Sequence, residues 1–242
     1  MGEWIAIVSE KDGVGKSTAA AYLALALSSM KKNVLVADLS TNEGGIDCCL
    51  HYSGSAAYHY LDVLEGNCRI SDALVRIGES SLYVLPGPKN RAISKEYGQK
   101  MPRLLHKFAE RFDYVIADVE SGTETEAFVR LADRKILVST MSRLSVADTA
   151  SYIQRLGDPT GYALLMNRIP VSLIKAERIP TVEEAVNELG IPIIGAVAED
   201  REAYLLPEGE ELPRGFRSPA EKAFYRIARR LNGETIQIIL KG

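Results

Sequence analysis

Short apolar runs alternate with longer segments of helical period along this chain. WIAIVS (4–9), NVLVADL (33–39), LYVLPG (82–87), YVIADV (114–119), KILVST (135–140), YALLMN (162–167) and PIIGAV (192–197) read as strands. Several are apolar on both faces, as strands buried in a parallel sheet are. Helical patterns lie between them, at 17–30, 58–66, 69–77, 101–112, 146–157, 181–190 and 218–231. Pro102 suits a helix start. This alternation predicts an α/β fold, a doubly wound, mostly parallel sheet with helices on both faces. Residues 170–180 (PVSLIKAERIP) form a loop or lid candidate, and 199–219 is rich in turn residues. Without repeats or linkers, the chain reads as one domain, 1–242, with a tail from about 232 to 242.

Composition narrows the picture. The formal charge of −3 and a pI near 5.8 demand neither a nucleic acid nor an anionic membrane as partner. Three cysteines, Cys48 and Cys49 adjacent, make no disulfide framework and fit a reducing compartment. The start, MGEWIAIVSEKDG, lacks a basic region followed by an apolar signal core. The longest apolar run, in AAAYLALAL, falls short of the ~20 residues a spanning helix needs. The expectation is a cytoplasmic protein, with peripheral contact as the only membrane option.

The candidate chemistry begins at SEKDGVGKST (9–18), which leaves a strand and opens a helix. In that setting backbone N–H groups and the helix N-terminus bind phosphate, the lysine reaches the β/γ-phosphates, and the following hydroxyl meets Mg²⁺. Lys16 and Ser17 take those parts here. The usual pattern opens with a glycine five positions before Gly15, where this chain has Glu10.

KxGVGKST, with Lys11 ahead of the loop, resembles the deviant Walker A loop of the MinD/ParA family of ATPases. The likeness runs through NVLVADLSTNEGG (first switch), FDYVIADVESGTETEA (Walker B strand and second switch, with Asp118 and Gly122), KILVSTMSRLSVADTA, YALLMNRIP and SPAEKAFYRIARRL. YHYLDVLEGNCRISDALVRI and LYVLPGPKNR point to the MinD branch. The resemblance implies a P-loop fold with Mg²⁺ and ATP/ADP at the strand ends, and an ATP-dependent homodimer read by a protein partner. It implies catalytic parts for Lys11, Lys16 and Asp38, with Lys11 crossing to the partner's nucleotide. Nucleotide would meet Lys11, Asp12, Gly13, Val14, Gly15, Lys16, Ser17, Thr18, Asn167 (toward adenine) and Arg168. Ser17, Asp38 and Asp118 would hold the metal.

Several positions depart from the family pattern. Ser40 stands where the second carboxylate of the first switch orients the attacking water. Serine is no base near neutral pH. Glu43, Asp47 and Glu120 are alternative carboxylates, none at the family spacing. Asp12 replaces a loop glycine, which is unfavourable beside phosphates unless it points away or meets a cation. It also bears on dimer closure, and a positive φ there would suit Asp better than most residues. DVESG lacks the usual proline, TMSRLS lacks the Pro-Glu of MinD, and Ala198 stands for a proline.

The chain ends NGETIQIILKG. Ile236, Ile239 and Leu240 could share a helix face, but the pattern favours a surface strand or docked tail over an amphipathic anchor. Lys222, Arg226, Arg229 and Arg230 form a stripe on the last helical pattern. It reads as a solvated face, with DNA or anionic lipid as the alternative. Cys48, Cys49 and His51 read as residues near a helix start, with a soft-metal cluster as the alternative. His59 and His106 have no triad partner in the sequence.

Three readings follow: an ATP switch with slow hydrolysis that controls spatial positioning, of the division site or a related kind; a nucleotide-binding scaffold without useful hydrolysis; and a relative with metallocentre-maturation or tyrosine-kinase chemistry. The last tyrosine, Tyr225, lies too early for a kinase tail cluster.

Overall fold

The computed structural model describes residues 1–40, 45–52, 56–88, 95–120, 125–126, 129–200 and 216–239. Glu43, Gly122, Leu240 and most of the turn-rich 199–219 segment lie outside these.

Eight strands form one sheet: β1 (Glu3–Val8), β2 (Val34–Leu39), β3 (Val75–Arg76), β4 (Leu82–Leu85), β5 (Tyr114–Val119), β6 (Arg134–Thr140), β7 (Tyr162–Ile169) and β8 (Ile193–Ala198). Their order is β3-β4-β2-β5-β1-β6-β7-β8. Every neighbouring pair is parallel except β3 with β4. The expected doubly wound, mostly parallel α/β architecture is what the chain adopts.

Side-chain alternation explains the continuous apolar runs. Ile5 and Ile7 face one core, with Val34, Val36, Ile116, Ile136 and Val138. Trp4, Ala6 and Val8 face the other, with Leu35, Ala37, Val115 and Leu137. The first core is closed by α1 (Lys16–Ser29), α2 (Ile46–Leu50) and, after β8, Pro219–Leu231. The second takes α3 (Tyr60–Glu65), α4 (Lys95–Ala109), α5 (Arg143–Leu156), a short α6 (Val171–Lys175) and α7 (Val182–Leu189). Pro219–Leu231 is then α8. Residues Ala19 to Ala24 of α1 are all buried, as a helix that is apolar all round must be. Tyr22 stacks on Phe224 of α8 at 5.4 Å.

Three expectations need correction. The 69–77 segment is not one helix: a 3-10 turn, Ile70–Ala73, leads into β3. Val75 pairs with Val84 and Arg76 with Tyr83, closed by the Ile77 N–H on the Leu82 carbonyl at 2.9 Å. Cross-strand pairing at the free edge of β4 outweighs a marginal helical pattern. Pro102 does not start a helix but sits inside α4. Packing of the buried Met101, Leu105 and Phe108 carries the helix through it. The 170–180 segment is only partly loop, since Val171–Lys175 is helical.

The described tail after α8, to residue 239, forms no strand, but it docks. Arg230 donates to the carbonyls of Ile236 (2.8 Å), Gln237 and, on β8, Ile194 (3.0 Å). Arg226 donates to the Ile239 carbonyl, and Arg229 pairs with Glu234. Three of the four stripe cations thus have partners within the chain, and Lys222 is exposed. Desolvation holds the Arg230 pKa below its ordinary value.

Gly87, just beyond β4, is a point of close approach: a Cβ there would lie 2.3 Å from the Asp38 carbonyl oxygen. Backbone cannot yield as a flexible side chain does. Gly87→Ala is expected to destabilise the fold by about 1–3 kcal/mol, read as a lower urea midpoint. An unchanged midpoint would show that β2 and this loop can part without cost.

Candidate functional site

The candidate residues gather at the carboxyl ends of the central strands. Gly13 and Gly15 adopt φ of +77° and +95°. Gly15 is the N-cap of α1, and no side chain caps the helix. The first N–H groups of a helix have no intrahelical acceptor, so this end is disposed toward anions. A Cβ on Gly15 would meet Asn167 Nδ2 at 2.4 Å, so glycine is required twice over, for conformation and for space.

Lys16 is 8% exposed, and its ammonium donates to Ser9 Oγ and to Asp12 Oδ1, each at 3.1 Å. The Ser9 hydroxyl donates in turn to the Lys11 carbonyl at 2.6 Å. Asp12 therefore meets a cation within its own loop. It is not among the positive-φ residues of the described chain, so conformation is not the reason for aspartate there.

Asp38, next to last in β2, pairs in register with Asp118, next to last in β5, and both are fully buried. Ser40 donates to Asp38 Oδ1 twice, through its N–H at 3.2 Å and its hydroxyl at 2.8 Å. The serine hydroxyl proton is therefore committed to Asp38. Among the alternative carboxylates, Asp47 lies in the first turn of α2, where it accepts from the Cys48 N–H. Glu120 follows β5, its carbonyl taken by the Thr125 hydroxyl at 2.9 Å.

A bulge aims the other wall. Between Met166 and Ile169 the β7–β8 register slips, and Arg168 takes φ of +51°. Asn167 Nδ2 then donates to the Val14 carbonyl (2.9 Å) and Arg168 Nη1 to the Gly13 carbonyl (2.6 Å). Behind them a pocket open to solvent is lined by residues including Thr18, Asn167, Arg168, Val197, Ala198 and Phe224. Asp200, also in its wall, accepts from the Ala220 N–H and so caps α8.

The loop cations have partners that the sequence did not reveal. Lys11 Nζ lies 3.0 Å from Asp148 Oδ2 on α5. About two helical turns further along, Arg155 holds Glu10 through Nη1 and Nη2 (3.2 and 2.8 Å) and reaches Glu126 at 3.5 Å. The seven-residue spacing of Asp148 and Arg155 on a helical pattern is the signal that could have found them. Cys49, on α2, faces α1 from the first core. Among the described residues no three His, Cys, Asp or Glu side chains gather as a metal site, Cys48, Cys49 and His51 included. His59 precedes α3 and pairs with Asp62, while His106 meets the Trp4 ring edge-on.

This donor set fits a magnesium nucleotide. Hard carboxylate and hydroxyl oxygens suit Mg²⁺, and the left-handed glycines open the cradle that a Cβ would fill. The family model AAA_31, an AAA domain, matches residues 2–156. The chain is 30% identical to the septum site-determining protein MinD of Bacillus subtilis, over 98% of this chain and 92% of that one. It is similar to the Aquifex aeolicus MinC:MinD cell division complex (TM-score 0.83, 28% identity, 99% of each chain). The septum site-determining protein MinD of Pyrococcus horikoshii, solved with Mg-ADP, shares the fold (TM-score 0.76, 24% identity, 96% of each chain).

Burial pushes the Cys49 thiol up to about 11, with Asp118 adding to the rise and the Thr18 hydrogen bond opposing it. The thiolate is the reactive form, and at pH 8 only about one Cys49 in a thousand is ionised. Iodoacetamide at that pH is expected to modify the exposed Cys48 well before Cys49, read by peptide mass spectrometry. Equal rates would contradict the placement of Cys49 against Thr18.

Proposed function

The chain belongs to the MinD/ParA family of P-loop ATPases, whose MinD members are septum site-determining proteins, and on that premise we propose that it is a single-domain Mg-ATP switch that dimerises around nucleotide, hydrolyses it slowly and serves spatial positioning. The observation that carries this reading is the meeting, at one end of the sheet, of the left-handed glycine loop, the buried Lys16 and the paired buried Asp38 and Asp118.

In this reading the backbone of Asp12 to Thr18 and the Lys16 ammonium hold the phosphates. Ser17, Asp38 and Asp118 hold Mg²⁺. When bound, the metal would neutralise phosphate charge. Asn167 and Arg168 shape the base pocket, and their bonds to the Val14 and Gly13 carbonyls tie the pocket wall to the loop. Ser40 holds the Asp38 carboxylate in orientation and supplies no carboxylate of its own. Losing a positioned base lowers a rate by ~10²–10⁴-fold. Phosphoryl transfer leans mainly on positioning and charge stabilisation, which these residues retain.

Lys11 is the residue assigned to cross the dimer. Its pair with Asp148 is partly exposed, 41% and 35% for the two side chains. Such pairs are worth about 0–1 kcal/mol, so the lysine is released at little cost when a subunit arrives. The partner that reads this dimer belongs, on the family's pattern, to a positioning system. The proposed setting is the cytoplasm with peripheral membrane contact; no described helix is long and apolar enough to cross a membrane.

Ser40 also favours a second reading, a scaffold that binds nucleotide and does not turn it over. ATP binding and phosphate release, measured together on wild type and Ser40→Asp, separate the two. The switch reading expects Mg-ATP binding with slow wild-type turnover, raised about tenfold or more in Ser40→Asp. Binding with no wild-type turnover and hydrolysis gained in the variant would support the scaffold. Failure of the wild type to bind nucleotide would sink both.

A further inference from the structure

Resting on the nucleotide-binding reading, we propose that Asp12 sets the preference between nucleoside diphosphate and triphosphate, by fixing a negative charge at the γ-phosphate end of the cradle. The geometry is direct. Asp12 Oδ1 lies 3.1 Å from the Lys16 ammonium, with the lysine side chain 8% exposed and the aspartate 71% exposed. In a loop of this kind backbone N–H groups take the α- and β-phosphates, and the lysine takes the β- and γ-phosphates. The carboxylate is thus beside the atom that serves the last phosphate.

Backbone conformation gives no reason for aspartate at this position. The left-handed turns fall to Gly13 and Gly15, and Asp12 is not among the positive-φ residues. Its side-chain chemistry is what remains. The neighbouring cations are engaged elsewhere, Lys11 with Asp148, Arg155 with Glu10 and Arg168 with the Gly13 carbonyl. Lys16 is therefore the cation that answers the Asp12 charge. A diphosphate reaches the ammonium through its β-phosphate alone and brings one phosphate fewer toward the carboxylate. A triphosphate must share the ammonium with the carboxylate or push it aside, and like charges that close repel even at an effective dielectric of about 20. The consequence is a chain biased toward its diphosphate state, entering the triphosphate state only against Asp12.

The test is calorimetric titration of wild type, Asp12→Asn and Asp12→Glu with Mg-ADP and with the Mg complex of a non-hydrolysable ATP analogue. Asp12→Asn is expected to tighten the triphosphate analogue about tenfold and the diphosphate by less than about threefold, the water-exposed charge being partly screened. Asp12→Glu, which keeps the charge, should keep the wild-type preference. Raising the ionic strength should narrow the gap between wild type and Asp12→Asn. Equal shifts for both nucleotides, no shift for either, or an Asp12→Glu that behaves as Asp12→Asn would overturn the inference while leaving nucleotide binding in place. A wild type that binds neither nucleotide would overturn the proposed function and this inference with it.

Discussion

Everything at the loop end depends on the immobility of α1. Its apolar residues contact the sheet on one side and α2 and α8 on others, with Tyr22 and Phe224 stacked at the far contact. A helix so enclosed cannot shift to suit a ligand. Its N-terminus, the Gly15 turn and Lys16 are therefore fixed by the core and not by the loop. The β2–β5 register adds the second fixed point, since Asp38 and Asp118 lie at the same level near the ends of adjacent parallel strands. Any anion or cation must fit the space these elements leave, which is the preorganisation that charge stabilisation requires.

Against this rigid base the loop is crowded with charge. Glu10, Lys11, Asp12 and Lys16 each have an ion-pair partner, two of the three pairs reaching α5 and one closing within the loop itself. Exposed pairs of this kind contribute little to stability. Their effect is on arrangement: α5 carries Asp148 and Arg155 to the loop from the far side of β6, and Arg155 extends the link to Glu126 beyond the Walker B strand. A movement of α5 therefore reaches the loop and Glu126 together.

Much of the fold was legible in the sequence because parallel strands buried on both faces have a distinctive run of apolar residues, and seven of the eight could be read from it. The missing one, β3, is two residues long on an antiparallel edge, where pairing partner and turn decide the structure and periodicity says nothing. Pro102 misled for a related reason, since local preference for a helix start lost to the packing of Met101 and Phe108. At the site, residue types at fixed spacing located the loop, the two aspartates and Asn167 with Arg168 at one end of the sheet. What spacing does not convey is partnership across the fold. The pairing of Lys11 with Asp148 spans 137 positions and that of Glu10 with Arg155 spans 145. Nor does it show that Ser40 turns its hydroxyl onto Asp38, a bond that makes the serine a brace for the neighbouring carboxylate.

Arg230 has a consequence for how copies of this chain can meet. The last strand of the described sheet, β8, ends it with backbone groups on its outer side, and such rows invite another chain to add a strand. The Arg230 guanidinium takes the Ile194 carbonyl and, from the same side chain, fastens the tail through Ile236 and Gln237. One cation thus blunts the sheet edge and ties a segment of polypeptide beside it. Growth of the sheet from molecule to molecule is opposed on that flank.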